Sequence, residues 1–458
     1  MKIKTSSLLI AGALLGSAMM PAHANNEAMM DLLKVLRDQG TITAENYELL
    51  TNAAKADKEV VEDVVNKVSA AEKKMPKITT KGKIKIESAD GNWSFQPIGR
   101  IMYDFIDTDE DGSGAGDFQG TELRRARLGF EGKVYDWGYK LEADFATAGG
   151  TNADVSLKDV YVSYGTKIGD MKAGVKLGQS HIPFGYSAKQ SSKYMTFMER
   201  PLFSDGTSIS PDRQSGAIAL LADKDYNWLV SAGYTVGQLS GGSTNEDVSG
   251  NIFAVRGSFL PWKQDKNHLL QLGAGYMKQS ADADSFRHRS RLVSHKDATR
   301  HLDTDSETVK IKDFDGGDAF TVDALGVFGS FHVLGEYVSY TADRTTASDI
   351  DIDGYSLEAS YFLTGESVKW SKGYTSGITP KSKSGAWQVA ARFESSEIDG
   401  NTTETTDEVD KWTVGVNYYP TQNTRLMLNY DQVTDLTKDG INVNFEPSAL
   451  KFRAQAYW

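Results

Sequence analysis

From Lys81 to Trp458, apolar and polar residues alternate one by one in runs long enough to cross a bilayer, and no other feature constrains the chain as tightly. Trp93, Phe95, Pro97, Gly99, Ile101, Tyr103 and Phe105 alternate with Ser94, Gln96, Arg100 and Asp104. Tyr139, Leu141, Ala143 and Phe145 alternate with Lys140, Glu142 and Asp144, and the same period returns around Met171–Leu177, Trp387–Phe393, Trp412–Tyr418 and Leu426–Tyr430. Successive side chains of a β-strand point to opposite faces, so each run is a strand with one apolar and one polar face. A soluble sandwich would have to cover every apolar face with a second layer. About sixteen such runs, after a short leading strand at 81–88, predict instead a sheet closed on itself with its apolar face turned to lipid. The connections agree. Short turns such as Tyr135-Asp136-Trp137 and Lys224-Asp225-Tyr226 alternate with long polar stretches at 107–120, 178–212, 237–250, 281–318 and 397–410. Trp93, Trp137, Trp262, Trp387, Trp412 and several tyrosines fall near strand ends, where two aromatic girdles lie in a membrane barrel. The predicted fold class is all-β, a transmembrane antiparallel β-barrel of about sixteen strands occupying residues 78–458.

The first 77 residues read differently. Lys2 and Lys4, an apolar stretch from Ser6 to Met20, and Pro21-Ala22-His23-Ala24 form a secretory leader with cleavage expected after Ala24. No later apolar run approaches the ~20 residues of a membrane helix. Residues 25–77 are rich in Ala, Leu, Val, Glu and Lys. Leu32, Leu33, Val35 and Leu36 share one helical stretch that ends at Asp38-Gln39-Gly40. Thr43 is placed as an N-cap with Glu45 in the first turn, and Val60, Val61, Val64, Val65 and Val68 recur at helical spacing before Pro76. This predicts a helical arm, or short coiled coil, lying in the periplasm.

The chain carries a formal charge of −12, and removal of Lys2 and Lys4 with the leader leaves −14, which argues against nucleic acid as a partner. It has no cysteine, as suits a self-closed barrel. His181, His268, His288, His295, His301 and His332 show no metal-ligand spacing, and no nucleophile elbow or phosphate-cradling glycine loop is present. The reading is therefore not an enzyme, with no cofactor and no metal.

If the aromatic and aliphatic residues face lipid, alternation turns Arg100, Arg125, Arg127, Lys133, Lys140, Lys172, Lys176, Arg213, Arg256, Arg392, Arg425 and Arg453 to the interior. The acids facing them are fewer: Asp104, Glu131, Glu142, Asp144, Asp159 and Glu358. The interior is thus predicted to be basic although the chain is acidic, with the surplus acid in loops. Arg124 breaks the alternation. Either a bulge turns it inward or it snorkels at the interface.

Five blocks, in order, resemble the phosphate-selective porin O/P family: Gly99-Arg100-Ile101-Met102-Tyr103-Asp104, Glu122-Leu123-Arg124-Arg125-Ala126-Arg127-Leu128-Gly129, Met198-Glu199-Arg200, Tyr361-Phe362-Leu363-Thr364-Gly365-Glu366 and Gly385-Ala386-Trp387. The resemblance covers Lys81 to Trp458. It implies a bacterial outer-membrane channel, a homotrimer of sixteen-stranded barrels in which the third loop folds inward, surrounded by lipid and lipopolysaccharide and passing small anions such as phosphate or polyphosphate-like oxyanions. In Lys189-Gln190-Ser191-Ser192-Lys193 it implies the serine–lysine anion site, in Arg200 the arginine that closes the loop, in Arg124, Arg125 and Arg100 the strand arginines, and in Asp159 the strand carboxylate. The last strand, with Phe452, Tyr457 and the terminal Trp458, resembles the segment by which the barrel assembly machinery recognises its clients. The alternative is a general or cation-leaning porin whose acidic extracellular loops set selectivity.

Overall fold

The computed structural model describes residues 20–458 except 111–116, 147–154, 205–208, 210, 238–249, 282–286, 297–301, 304–312, 401–406, 439 and 444. Residues 1–19 of the expected leader, like His301, lie outside the described residues. The chain divides into two units, one running to Lys77 and including Ser88–Asp90, the other comprising Ile78–Glu87 and Gly91–Trp458. The first unit is helical, with α1 (Met20–Asp38) and α2 (Ala44–Glu72). Thr43 caps α2, its hydroxyl accepting the amide of Asn46 at 3.2 Å.

The second unit is a closed barrel. Its strands are β1 (Trp93–Asp109), β2 (Gln119–Val134), β3 (Trp137–Asp144), β4 (Ser156–Ile168), β5 (Met171–His181), β6 (Arg213–Ala222), β7 (Trp228–Thr235), β8 (Ile252–Lys263), β9 (His268–Ser280), β10 (Phe314–Phe328), β11 (Phe331–Arg344), β12 (Ile350–Phe362), β13 (Ala386–Asp399), β14 (Asp407–Thr421), β15 (Thr424–Lys438) and β16 (Ser448–Tyr457). Each pairs antiparallel with the next, and β16 returns to β1 from Ser448↔Asp109 to Tyr457↔Arg100. Sixteen strands closed in this way leave no sheet edge, which is the condition for backbone polar groups to be satisfied in lipid. The seam is tight at its base. The indole of Trp458 lies where a side chain on Gly99 would stand, and the two residues exchange backbone hydrogen bonds of 3.2 and 3.3 Å.

Side-chain exposure follows the alternation. Leu128, Phe130, Phe320, Val322, Leu357, Val414 and Leu428 are exposed on the outer wall. Near the short turns, Trp93 packs on Tyr135, Trp137 on Tyr164, Trp262 on Phe328, and Trp387 on Tyr418. Tyr161, one of the tyrosines expected in the girdles, instead pairs across from Lys140 and faces inward, where the Lys176 ammonium lies 4.7 Å over its ring.

One connection contradicts the pattern of short turns at this end. Residues 363–385, between β12 and β13, form a long excursion whose core is a hairpin of Lys369–Ser371 and Tyr374–Ser376. Its two-residue loop, Lys372-Gly373, has φ of 52° and 88°. Positive φ at both positions is what a type I′ hairpin turn requires, and Gly373 takes it freely. The hairpin runs into the barrel interior, where Gln271 of β9 donates to the Gly373 carbonyl at 3.0 Å and receives the Trp370 indole N–H at 2.8 Å.

Candidate functional site

The third loop crosses the interior with its described residues 182–204 and is fastened to the wall formed by β11–β16. Two carboxylates accept its backbone amides: Glu336 takes those of Tyr186 and Ser187, and Glu394 takes that of Leu202. Asn429 accepts the Met198 amide at 2.9 Å. In return, Arg425 donates to the Met195 carbonyl and Arg453 to that of Met198, both at 2.6 Å, while Arg392 donates to that of Glu199 at 3.0 Å. Buried backbone groups left without partners are costly, so these side chains hold the loop's path. The hairpin supports it from below. The Tyr186 phenol accepts the Thr375 amide at 2.9 Å, and Gln190 donates to the Thr375 hydroxyl at 2.6 Å.

The fifth loop lends two carbonyls to the same wall, Leu292 to Lys411 and Val293 to Lys451. With that half of the interior filled, open space remains against β1–β7. A cavity of about 780 Å³ lies over the third loop, lined from β1 to β6 by Arg100, Arg124, Arg125, Arg127, Lys140, Lys158, Asp159 and Arg213 and from the loop by Lys189, Ser191, Ser192 and Arg200. Eleven Lys and Arg line it, against the four carboxylates of Glu122, Asp144, Asp159 and Asp212. A second cavity of about 270 Å³ lies beyond, lined by Lys193, Tyr194, Tyr457, Trp458 and Lys83. Arg100 and Lys140 line both. A third, of about 450 Å³, takes Lys172, Lys176 and Lys189 on the β4–β7 side.

The cations divide into those cancelled locally and those left over. Arg100 pairs with Glu142 at 2.9 Å and donates to the Ser192 hydroxyl at 2.8 Å. Arg127 pairs with Asp144 at 2.7 Å. Asp159 takes Lys140 at 2.7 Å and Arg213 at 2.8 Å. Arg124 makes a two-point contact with Glu199 of the third loop, at 2.7 and 3.0 Å. Arg200 spends its donors on the loop itself, reaching the carbonyls of Ser187 and Gln190 at 2.8 and 2.9 Å. By contrast, among the described residues Arg125, Lys158, Lys189 and Lys193 make no ion pair. The one hydrogen-bond partner of Arg125 is the weak acceptor Sδ of Met102, at 3.7 Å. Lys189 lies over the ring of Tyr374, and Lys193 over those of Tyr194 and Tyr457. Burial pushes both loop ammonium groups down to about 8, helped for Lys189 by Arg256 and for Lys193 by Arg100 and Lys140.

The paired arginines on β2 owe their shared direction to a bulge. The β1–β2 register steps from Met102↔Arg125 to Tyr103↔Leu123, leaving Arg124 as the extra residue. Leu123 and Leu128 stay outside while Arg124, Arg125 and Arg127 all face in, as a bulge permits. Of the other interior bases read from alternation, Arg213 lines the first cavity, and Lys172 and Lys176 the third. Arg256 and Arg392 face in but line none of these cavities. Arg256 is buried against Asp323, and Arg392 against Glu394. Phe452 and Tyr457 straddle the wall: the ring of Phe452 packs at a tilt against Phe105, and Tyr457 donates to the Gln422 carbonyl at 2.6 Å. Sequence reasoning missed Lys158, Tyr186, Thr375 and the inward acids Asp323, Glu336, Glu394 and Asp431. A count of strand parity would have exposed residues 363–385 as too long for a turn.

A family model described as phosphate-selective porin O and P matches residues 95–458, the whole barrel from the third residue of β1. The chain belongs to that family. This porin is 25% identical over 402 residues to Porin O of Pseudomonas aeruginosa, a match covering 79% of this chain and 89% of that one. It is 27% identical over 376 residues to an uncharacterised protein of Caulobacter vibrioides, covering 77% and 71% of the two chains. Among solved structures, the anion-selective porin from Comamonas acidovorans superposes with a TM-score of 0.51 at 13% identity, over 80% of this chain and 100% of that one, a likeness of fold. The porin is thus an outer-membrane β-barrel, a channel rather than an enzyme.

Proposed function

We propose that the porin conducts small oxyanions, phosphate or short polyphosphate-like species, through a constriction between the third loop and the wall of β1–β5. The observation that carries this reading is the set of uncompensated cations, Arg125, Lys158, Lys189 and Lys193, strung along the cavities beside a wall on which Arg100, Arg127, Lys140 and Arg213 are each paired with a carboxylate. An oxyanion entering the first cavity meets Arg125 and Lys158, then the hydroxyls of Ser191 and Ser192 with Lys189, then Arg100 and Lys193 at the junction with the second. Charged donors and hydroxyls replace the hydration shell, and several weak sites in series let the ion leave as readily as it enters. Arg124, Arg200 and Asp159 act by holding the loop and its facing wall. The leader is cleaved after Ala24, the arm is periplasmic, and Phe452, Tyr457 and Trp458 present the barrel to the assembly machinery. Three barrels associate in the lipopolysaccharide-containing membrane.

The test is the zero-current potential of the purified porin in a planar bilayer under a chloride gradient, with and without added phosphate. Anion preference, with chloride current reduced by millimolar phosphate, is expected. A cation-selective channel would hand selectivity to the acidic loops.

A further inference from the structure

The helical unit carries an apolar face that its own helices do not cover. The chain turns back through residues 39–43, so α1 lies against the first part of α2, where Leu33, Thr51 and Ala54 are buried. At 1.5 Å per residue, the part of α1 after the proposed cleavage at Ala24 is about 21 Å long and α2 about 43 Å. The shorter helix runs out before the C-terminal part of the longer one. There Val60 is 62% exposed, and Val64 and Val68 are each 40% exposed.

The spacing of this face identifies what covers it. Val61, Val64, Val68 and Ala71 follow one another at intervals of three and four, the a and d positions of a heptad, and the register extends back through Ala54, Leu50 and Tyr47. The one charged residue on the seam, Asp57, precedes the exposed stretch. In a parallel coil a g position faces the following e position of its neighbour, which sets Lys67 against Glu72. Val60 and Val65 occupy the preceding g and e positions and widen the apolar seam. β-Branched residues at both a and d favour three strands over two.

We infer that residues 61–72 of three copies of this chain wind into a parallel, in-register coiled coil. The inference rests on the reading of the protein as an outer-membrane porin assembled from several copies. Barrels inserted in one membrane share an orientation, so their arms run parallel, and the Lys67–Glu72 complementarity requires that sense. Fewer than two heptads are too few to associate in free solution. Tethering to neighbouring barrels makes association intramolecular, at an effective concentration in the millimolar range.

The chain contains no cysteine, so single cysteines report on the register cleanly. Val64→Cys and Val68→Cys, on the seam, and Asn66→Cys, on the opposite face, are introduced into the full-length porin and oxidised in intact outer membranes. Seam Cα atoms of neighbouring copies fall within the ~4.4–6.8 Å range of a disulfide. Interchain dimers are expected for the first two variants and not for the third. Lys67→Glu lowers the cross-linked fraction, and Lys67→Glu with Glu72→Lys restores it. A Val64→Cys protein that links no more than Asn66→Cys, or that links to a different protein, overturns the inference. Single-channel conductance of the same variants reports on the barrel separately, so normal channels without cross-links sink the coil and leave the porin reading standing.

Discussion

The wall of β1–β6 and the wall of β11–β16 are built from the same residue types, with Arg, Lys, Asp and Glu alternating inward against aliphatic and aromatic residues outward. Their fates differ. On the second wall Glu336 and Glu394 accept loop amides, Arg392, Arg425 and Arg453 donate to loop carbonyls, and Lys411 and Lys451 reach the fifth loop. On the first wall the third loop is held by Arg100 and Arg124, the carboxylates pair with neighbouring bases, and Arg125 and Lys158 are left lining the cavity. Inward charge in a barrel does not by itself mark a conduction path. A charge whose partner is a neighbouring carboxylate or a crossing backbone builds the wall. A charge without one is left for the solute.

The sharpest break of this contrast comes from reversing the unpaired cations. Lys189→Glu with Lys193→Glu exchanges two positive charges for two negative ones in a narrow, partly desolvated passage, where charges act more strongly than in bulk water. Anion preference should be lost or reversed, read as a change in the sign of the zero-current potential. Arg200→Glu is a poorer probe, because that guanidinium holds the loop's own carbonyls.

The next largest effect belongs to the second wall. Glu336→Ala strips the acceptor from the amides of Tyr186 and Ser187, at about 1–3 kcal/mol for each buried group left unsatisfied. The third loop should loosen. Single-channel conductance should rise and become noisier, while anion preference weakens without reversing. Unchanged conductance would show that the loop does not depend on that wall.

A graded effect follows from pH. The ammonium groups of Lys189 and Lys193 titrate at about 8, so they are charged below that value and neutral above it. Anion preference should be at its fullest below pH 7 and fade between pH 7 and 9. Zero-current potentials at pH 6, 8 and 9.5 would show it, and a profile that stays flat to pH 9.5 would exclude these two lysines as the selective charges. The smallest effect is expected at the mouth. Lys296 is partly exposed and lies 3.9 Å from Glu122. Salt screens such a charge within about 8 Å at physiological strength, so Lys296→Glu should leave the zero-current potential almost unmoved.

The barrel was legible because lipid imposes a rule on every strand. One face must be apolar, and a period of two follows wherever the chain crosses. That rule located the strands, turned Arg100, Arg125, Arg127 and Arg213 inward, and flagged Arg124 as a misfit that the β2 bulge resolves. The helical arm was legible for a similar reason, since Thr43 and the valine spacing act within a few residues of chain.

What sequence alone determined, then, is which face each side chain takes, because facing depends on local geometry and the solvent outside. Only the tertiary structure decided which inward charges are spent. Arg256 and Arg392 could not be told from Arg125 by alternation, yet the first two are buried against Asp323 and Glu394, and the third keeps its charge for the cavity. The deciding contacts join residues far apart in the chain: Glu336 to Ser187, Arg453 to Met198, Tyr186 to Thr375. They exist because a loop and a hairpin, entering from opposite ends, meet inside a closed wall. Alternation records only whether a residue points in or out, and so it carries no information about what crosses the space within.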